Sequence, residues 1–268
     1  MRLNGLRLVA VLLALSAPGL VTPSHPQEQQ DPATLVADAI EAHGGTAALE
    51  QWSNLIYSGE LTVFFGPSEI SGSGTISIRD GKWFKREARL EFRGSLVVFE
   101  EASTGGSAWQ RRGSRVYDFP PDNANTWLTH RPDILLRAAA ADSNDLRFKG
   151  NMDLDGDAVL ALELDERDGT IRILLDEDTH RVRALEYKMM RNDGMGKKEE
   201  AFIKTTYADY RIIDGIPFPH VGEEFSDGAK DSSIKVNAVE LGRPPEIGTF
   251  ARPEADEEAK EWRDQIAN

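Results

Sequence analysis

The sequence predicts a mainly β protein: an antiparallel meander of about ten or eleven strands that curls into a barrel or an open half-barrel. Three observations carry this. Short runs alternate apolar and polar residues along most of the chain; Phe84, Ala88, Leu90 and Phe92 share one parity, Lys85, Glu87, Arg89 and Glu91 the other. Turn pairs separate the runs, as at Asp80-Gly81, Asp168-Gly169 and Asp214-Gly215. No constellation of reactive side chains competes with this pattern.

The hairpin from Tyr207 to Phe225 is its clearest unit. A two-residue turn needs positive φ, which Asp214-Gly215 supplies. Pro217 and Pro219 fall two apart and lack an N–H on the same edge, so the strand is unpaired or bulged there.

In chain order, Met1 to Ser24 reads as a signal peptide. Arg2 and Arg7 precede the apolar run Leu8 to Val21, which is shorter than the roughly twenty residues a membrane span needs. Thr22 and Ser24 are small residues at a possible cleavage site, so the mature chain begins near His25, with a short leader to Asp31. Asp31-Pro32 opens a helix carrying Leu35, Val36, Ala39, Ile40 and His43 on one face, and Gly44-Gly45 ends it. Thr46 caps a second helix through Gln51, and Leu55 starts the strands. Pro132, Ile134 to Leu136 and the alanines after Arg137 predict a helix inserted between two sheet halves. Strands follow at Val159 to Leu164, Thr170 to Asp176, Val182 to Met190, Ala201 to Arg211, Ile216 to Phe225 and Ser232 to Leu241. The stretch 32–253 is one domain, and 254–268 is an acidic tail, a solvated helix or frayed end.

Composition excludes several functions. The formal charge is −14, and the first 24 residues contribute only arginines to it, which argues against nucleic acid and anionic lipid surfaces as partners. Without cysteine there is no disulfide, lipid-attachment cysteine or thiol chemistry. The histidines at 25, 43, 130, 180 and 220 stand alone, with no zinc-ligand spacing; His43 and His220 read as structural. No Gly-x-Ser-x-Gly elbow or phosphate loop is present, so no catalytic residue and no cofactor is assigned. Asn151-x-Asp153-x-Asp155-Gly156 matches half a calcium loop, but Leu162 stands where the closing Glu belongs. It reads as an acidic β-turn, and no metal is assigned.

What remains is apolar surface on both faces of some strands, such as Leu96 to Phe99 and Ala158 to Leu164. A curled sheet can enclose a cavity with such a lining, and an acyl chain would suit it. Phe84, Leu90 and Phe92 share the inner parity; Arg86 shares it and fits a cavity mouth; Trp83 and Trp109 are further candidates.

Gly44-Gly45, Leu49, Leu55 and Gly59 resemble the opening of the outer-membrane lipoprotein-sorting (LolA-like) superfamily. Leu174 to Arg183 is similar to a hairpin of that family. Tyr207-x-Asp209-Tyr210-Arg211-x-x-Asp214-Gly215-Ile216-x-Phe218-Pro219 and Phe250-Ala251-Arg252-Pro253 resemble its closing segments. The resemblance covers residues 32–64 and 170–253. It implies an open half-barrel whose concave face is covered by the helices, with an apolar interior for lipid or lipoprotein acyl chains and no catalysis. It also implies a strand arginine bonded to a helical cover, for which Arg79, Arg86 and Arg89 are available. The expected protein is a periplasmic carrier, with a membrane donor or acceptor protein as a further partner. The alternatives are a periplasmic sensor of the same fold, disfavoured by the short tail, and a secreted hydrolase, for which no nucleophile and base can be named.

Overall fold

Asp31 caps the first helix as expected: its carboxylate accepts from the Thr34 backbone N–H at 3.2 Å and hydroxyl at 2.8 Å. The computed structural model describes residues 30–119, 128–142, 145–166, 169–192 and 198–254; the signal segment, leader residues 25–29 and tail residues 255–268 lie outside these. Helix α1 spans Pro32–Ala42 and α2 spans Thr46–Gln51. Between them Gly44 and Gly45 take φ of 93° and 87°. Gly45, not Thr46, holds the cap position of α2, and no side chain caps that helix.

Strands β1 (Leu55–Phe65), β2 (Ser68–Arg79), β3 (Trp83–Phe92), β4 (Ser95–Ser103), β5 (Ala108–Arg112) and β6 (Arg115–Phe119) form one antiparallel meander. Helix α3 (Pro132–Ala141) follows. A second meander comprises β7 (Leu146–Leu154), β8 (Asp157–Glu166), β9 (Gly169–Asp176) and β10 (Val182–Asn192), then β11 (Lys198–Ile213), β12 (Ile216–Ser226) and β13 (Ala229–Leu241). The meanders join where β13 pairs with β1, Leu55 beside Leu241 and Val63 beside Ser232. The result is one open sheet of 13 strands with β6 and β7 at its edges. Of these edges, β7 is the strand the sequence pattern does not show.

The helices lie on the inner face of the β7–β11 half. Leu35, Val36 and Ala39 of α1 and Leu135, Leu136 and Ala139 of α3 are buried with Leu160, Leu162, Ile173 and Leu185. Burying one such leucine contributes roughly 1.5–3 kcal/mol. β8 is apolar on both faces, as its sequence requires: Val159 and Ala161 point the other way, into an outer cluster with Leu174 and Ala184.

Asp214 and Gly215 form the expected turn, with φ of 50° and 86°. Ile213 and Ile216 close it, so the N–H positions of Pro217 and Pro219 point away from β11. On that side β12 meets β13 only from Val221 onward. Both prolines therefore sit on unpaired edge, one of the two arrangements expected.

Asp155 and Gly156, with φ of 57° and 95°, form the β7–β8 turn, and the Asp153 carboxylate accepts from the Gly156 N–H at 3.0 Å. After β13 the chain crosses the outer face of β2–β6. Arg79 donates to the Pro245 carbonyl, Trp109 Nε1 donates to the Phe250 carbonyl at 3.2 Å, and Arg252 pairs with Asp118.

Candidate functional site

A cavity of about 120 Å³ lies between the inner face of the sheet and the ends of α2 and α3. Its floor comes from seven consecutive strands, β3-β2-β1-β13-β12-β11-β10, centred on the seam strand β13. Register explains which residues meet there. Leu55 stands beside Ile78 and Tyr57 beside Ile76, while Ile78 pairs with Phe84. Alternation then turns all five inward. From the other side come Val236, Phe218, Val221, Gly222, Thr205, Tyr207 and Tyr187. The roof is Trp52, just after α2, and His130, Arg131 and Pro132 at the start of α3.

A buried ion pair holds the roof. Arg131 donates to Asp133 through Nε at 2.9 Å and Nη2 at 2.6 Å, and through Nη2 to the Trp52 carbonyl at 3.2 Å. Asp133 is fully buried, and Arg137 donates to its carbonyl at 3.0 Å. The carboxylate also sits in the first turn of α3, where the helix dipole favours a negative charge. Arg131 thus ties α3 to the end of α2 above the floor.

The polar groups of the floor are mostly phenols. Burial pushes the Tyr57 hydroxyl up to about 12 and the Tyr187 and Tyr207 hydroxyls upward as well. At neutral pH these groups remain protonated; they are hydrogen-bonding groups, not bases. One step along the inner face, Arg86 pairs with Glu101 at 2.9 Å. Burial opposes the Arg86 charge, but Glu101 and Glu224 outweigh it and raise the guanidinium pKa. Beyond this row the inner face is apolar again through Leu61, Val63, Ile70, Leu90, Val97 and Phe99 toward the hairpin tips.

Of the residues expected to line a cavity, Phe84 is in its wall. Arg86, Leu90 and Phe92 share its face farther along β3, Leu90 buried and Phe92 exposed at the strand end. Trp83 and Trp109 lie on the outer face, which corrects their expected placement. Trp83 has the opposite parity to Phe84, and its ring meets Phe250 at 5.6 Å. Trp109 pairs with Ala102, itself the partner of Lys85, whose Nζ stands 5.9 Å from the indole. Arg89 pairs with Glu87, so neither it nor Arg79 makes the contact that Arg131 makes from α3 itself. Trp52, His130, Arg131, Tyr187, Tyr207, Phe218 and Gly222 were not legible as site residues.

His43 and His220 are buried, and each is bonded to a backbone carbonyl. His220 Nδ1 lies 3.0 Å from the Phe218 carbonyl. His43 Nδ1 donates to the Ala39 carbonyl at 2.7 Å, and Tyr210, whose hydroxyl donates to Val182, lies 3.4 Å from Nε2. Burial lowers the His43 pKa below its ordinary 6.5. The unfolded chain then binds more protons than the folded one below that value, so this stability is present above about pH 6.5 and is lost as pH falls. The melting temperature should decline on acidification from pH 7 to 5, and His43→Gln should flatten that decline. An identical slope in both proteins would remove His43 as its source.

An open antiparallel half-barrel with helices roofing an apolar inner cavity defines the class of fold. No family model and no curated protein matches the chain. Among solved structures, a DUF1329 family protein from Desulfovibrio piger is similar at 13% identity and TM-score 0.52, covering 85% of this chain and 100% of its own. A LolA superfamily protein from Nitrosomonas europaea aligns at 13% identity and TM-score 0.49, over 83% of this chain and 98% of its own. A domain assigned to outer membrane lipoprotein sorting, from Vibrio parahaemolyticus, aligns at 14% and 0.47, over 80% and 97%.

Proposed function

We propose that the protein is a periplasmic carrier or binding protein for lipid or lipoprotein acyl chains, held against the inner face of the sheet without catalysis. The cavity carries this reading. Its floor is mostly aliphatic and aromatic, its phenols are neutral, and beyond the Arg86–Glu101 row an apolar strip resumes toward the hairpin tips. Each methylene transferred there contributes roughly 0.8 kcal/mol. For this chain, the export signal read at 1–24 supports the compartment. No helix among the described residues is long and apolar enough to cross a membrane.

Gly222 offers a direct test. It lines the floor, and a Cβ there would meet Ile234 at an ordinary 3.4 Å. Gly222→Leu should fill the cavity without removing any core contact. Affinity for a fluorescent fatty acid should fall at least about tenfold, a loss of about 1.4 kcal/mol, while the melting temperature stays within a few degrees. If the unaltered protein binds no acyl probe, or the variant binds it equally well, the carrier reading is wrong.

A further inference from the structure

We propose that the rim formed by the β1–β2, β3–β4 and β5–β6 hairpin tips docks on an anionic lipid bilayer surface. The observations are separate from those at the cavity. Phe65, Phe92 and Leu96 are 57%, 44% and 64% exposed. All stand at hairpin tips, Phe65 opposite Ser68 and Phe92 opposite Ser95. Leu96 pairs with Glu91, whose parity is opposite to that of Phe92, so the β3–β4 tip is apolar on both faces. A sheet buries one face against its own helices; a tip apolar on both faces is suited to insertion. Register places Phe92 two strands from Phe65 on the same face, about 10 Å away across the sheet. Apolar points in a row, rather than one continuous patch, suit a soft surface better than a rigid groove.

Charge selects the occupant. Arg93 forms the β3–β4 turn with Gly94, and its guanidinium lies 5.1 Å from the Phe92 ring centroid. Exposed Arg112 and Arg115 flank the next tip. The carboxylates on these tips are Glu69 and Glu91, so the rim is locally basic although the chain carries −14 overall. With the ring and Leu96 in the acyl boundary, Arg93 would lie at phosphate depth, where a guanidinium bonds two oxygens at once.

The test is co-sedimentation of the full chain with vesicles of phosphatidylcholine, alone or mixed with phosphatidylglycerol. The unaltered protein should sediment with the mixed vesicles and about tenfold less with phosphatidylcholine alone. Leu96→Glu, and separately Arg112→Ser with Arg115→Ser, should each weaken vesicle binding about tenfold. Both should leave fatty-acid binding in solution unchanged, because Leu96 is on the outer face and the arginines lie beyond the cavity. No sedimentation of the unaltered protein, equal binding to both vesicle types, or unaltered binding by Leu96→Glu would each overturn the proposal. Loss of soluble fatty-acid binding by the unaltered protein would instead strike the carrier reading and leave docking to be decided by the vesicles.

Discussion

Asp133→Ala should destabilise the protein by about 3–5 kcal/mol, because it leaves the Arg131 cation buried without its carboxylate. The Arg131 side chain is only 12% exposed, and Asp133 is its bidentate partner. Arg137 would lose the same anion but is one-third exposed and can turn to solvent. For a domain of this size the melting temperature should drop by roughly 10 °C or more. Replacing both partners, Arg131→Met with Asp133→Leu, should recover most of the loss, since a buried pair often contributes little beyond an apolar pair of similar volume. Near-identical melting of Asp133→Ala and the unaltered chain would show that the pair does not hold the roof.

Gly59→Ala should cost about 3 kcal/mol, at the upper end of the usual overpacking range. A Cβ at Gly59 would lie 2.0 Å from the Lys235 carbonyl oxygen and 2.8 Å from the Val236 Cα. Both obstacles are backbone, so β13 itself would have to move. The register between β1 and β13 shifts at Ser58 and Gly59, so this clash falls at an irregularity of the seam. Gly106→Ala is the control: nothing lies within 4 Å of its Cβ, and its φ is not in the left-handed region, so its effect should stay within about 0.5 kcal/mol. Guanidinium unfolding of the two variants decides the matter; equal midpoints would mean that β1 and β13 tolerate separation.

The helices and hairpins were legible because their signals are local. Asp31-Pro32, Gly44-Gly45 and Asp214-Gly215 act within a few residues of themselves, and each does what its chemistry requires. The parity of β3 likewise placed Phe84 on the inner face. β7 escaped because an edge strand has one neighbour and needs fewer apolar residues; its Asn151 and Asp153 read as turn residues although both are paired with β8. Trp83 and Trp109 misled because size says nothing about face, which only register decides. The other half of the cavity floor was out of reach, since it depends on β13 lying beside β1. Arg131 lies outside any periodic run, and its partner Trp52 is in another element.

That seam also orders events in time. The first strand cannot gain its second neighbour until the last has been made, and Leu55 must find Leu241 across almost the whole domain. Pairings so distant in sequence are slow, since the loop entropy is spent before any contact returns it. Each meander can zip locally, but the surface beneath the roof exists only after both have met. A nascent or truncated chain lacking β13 would therefore hold two half-floors, and the cavity would exist only on a finished molecule.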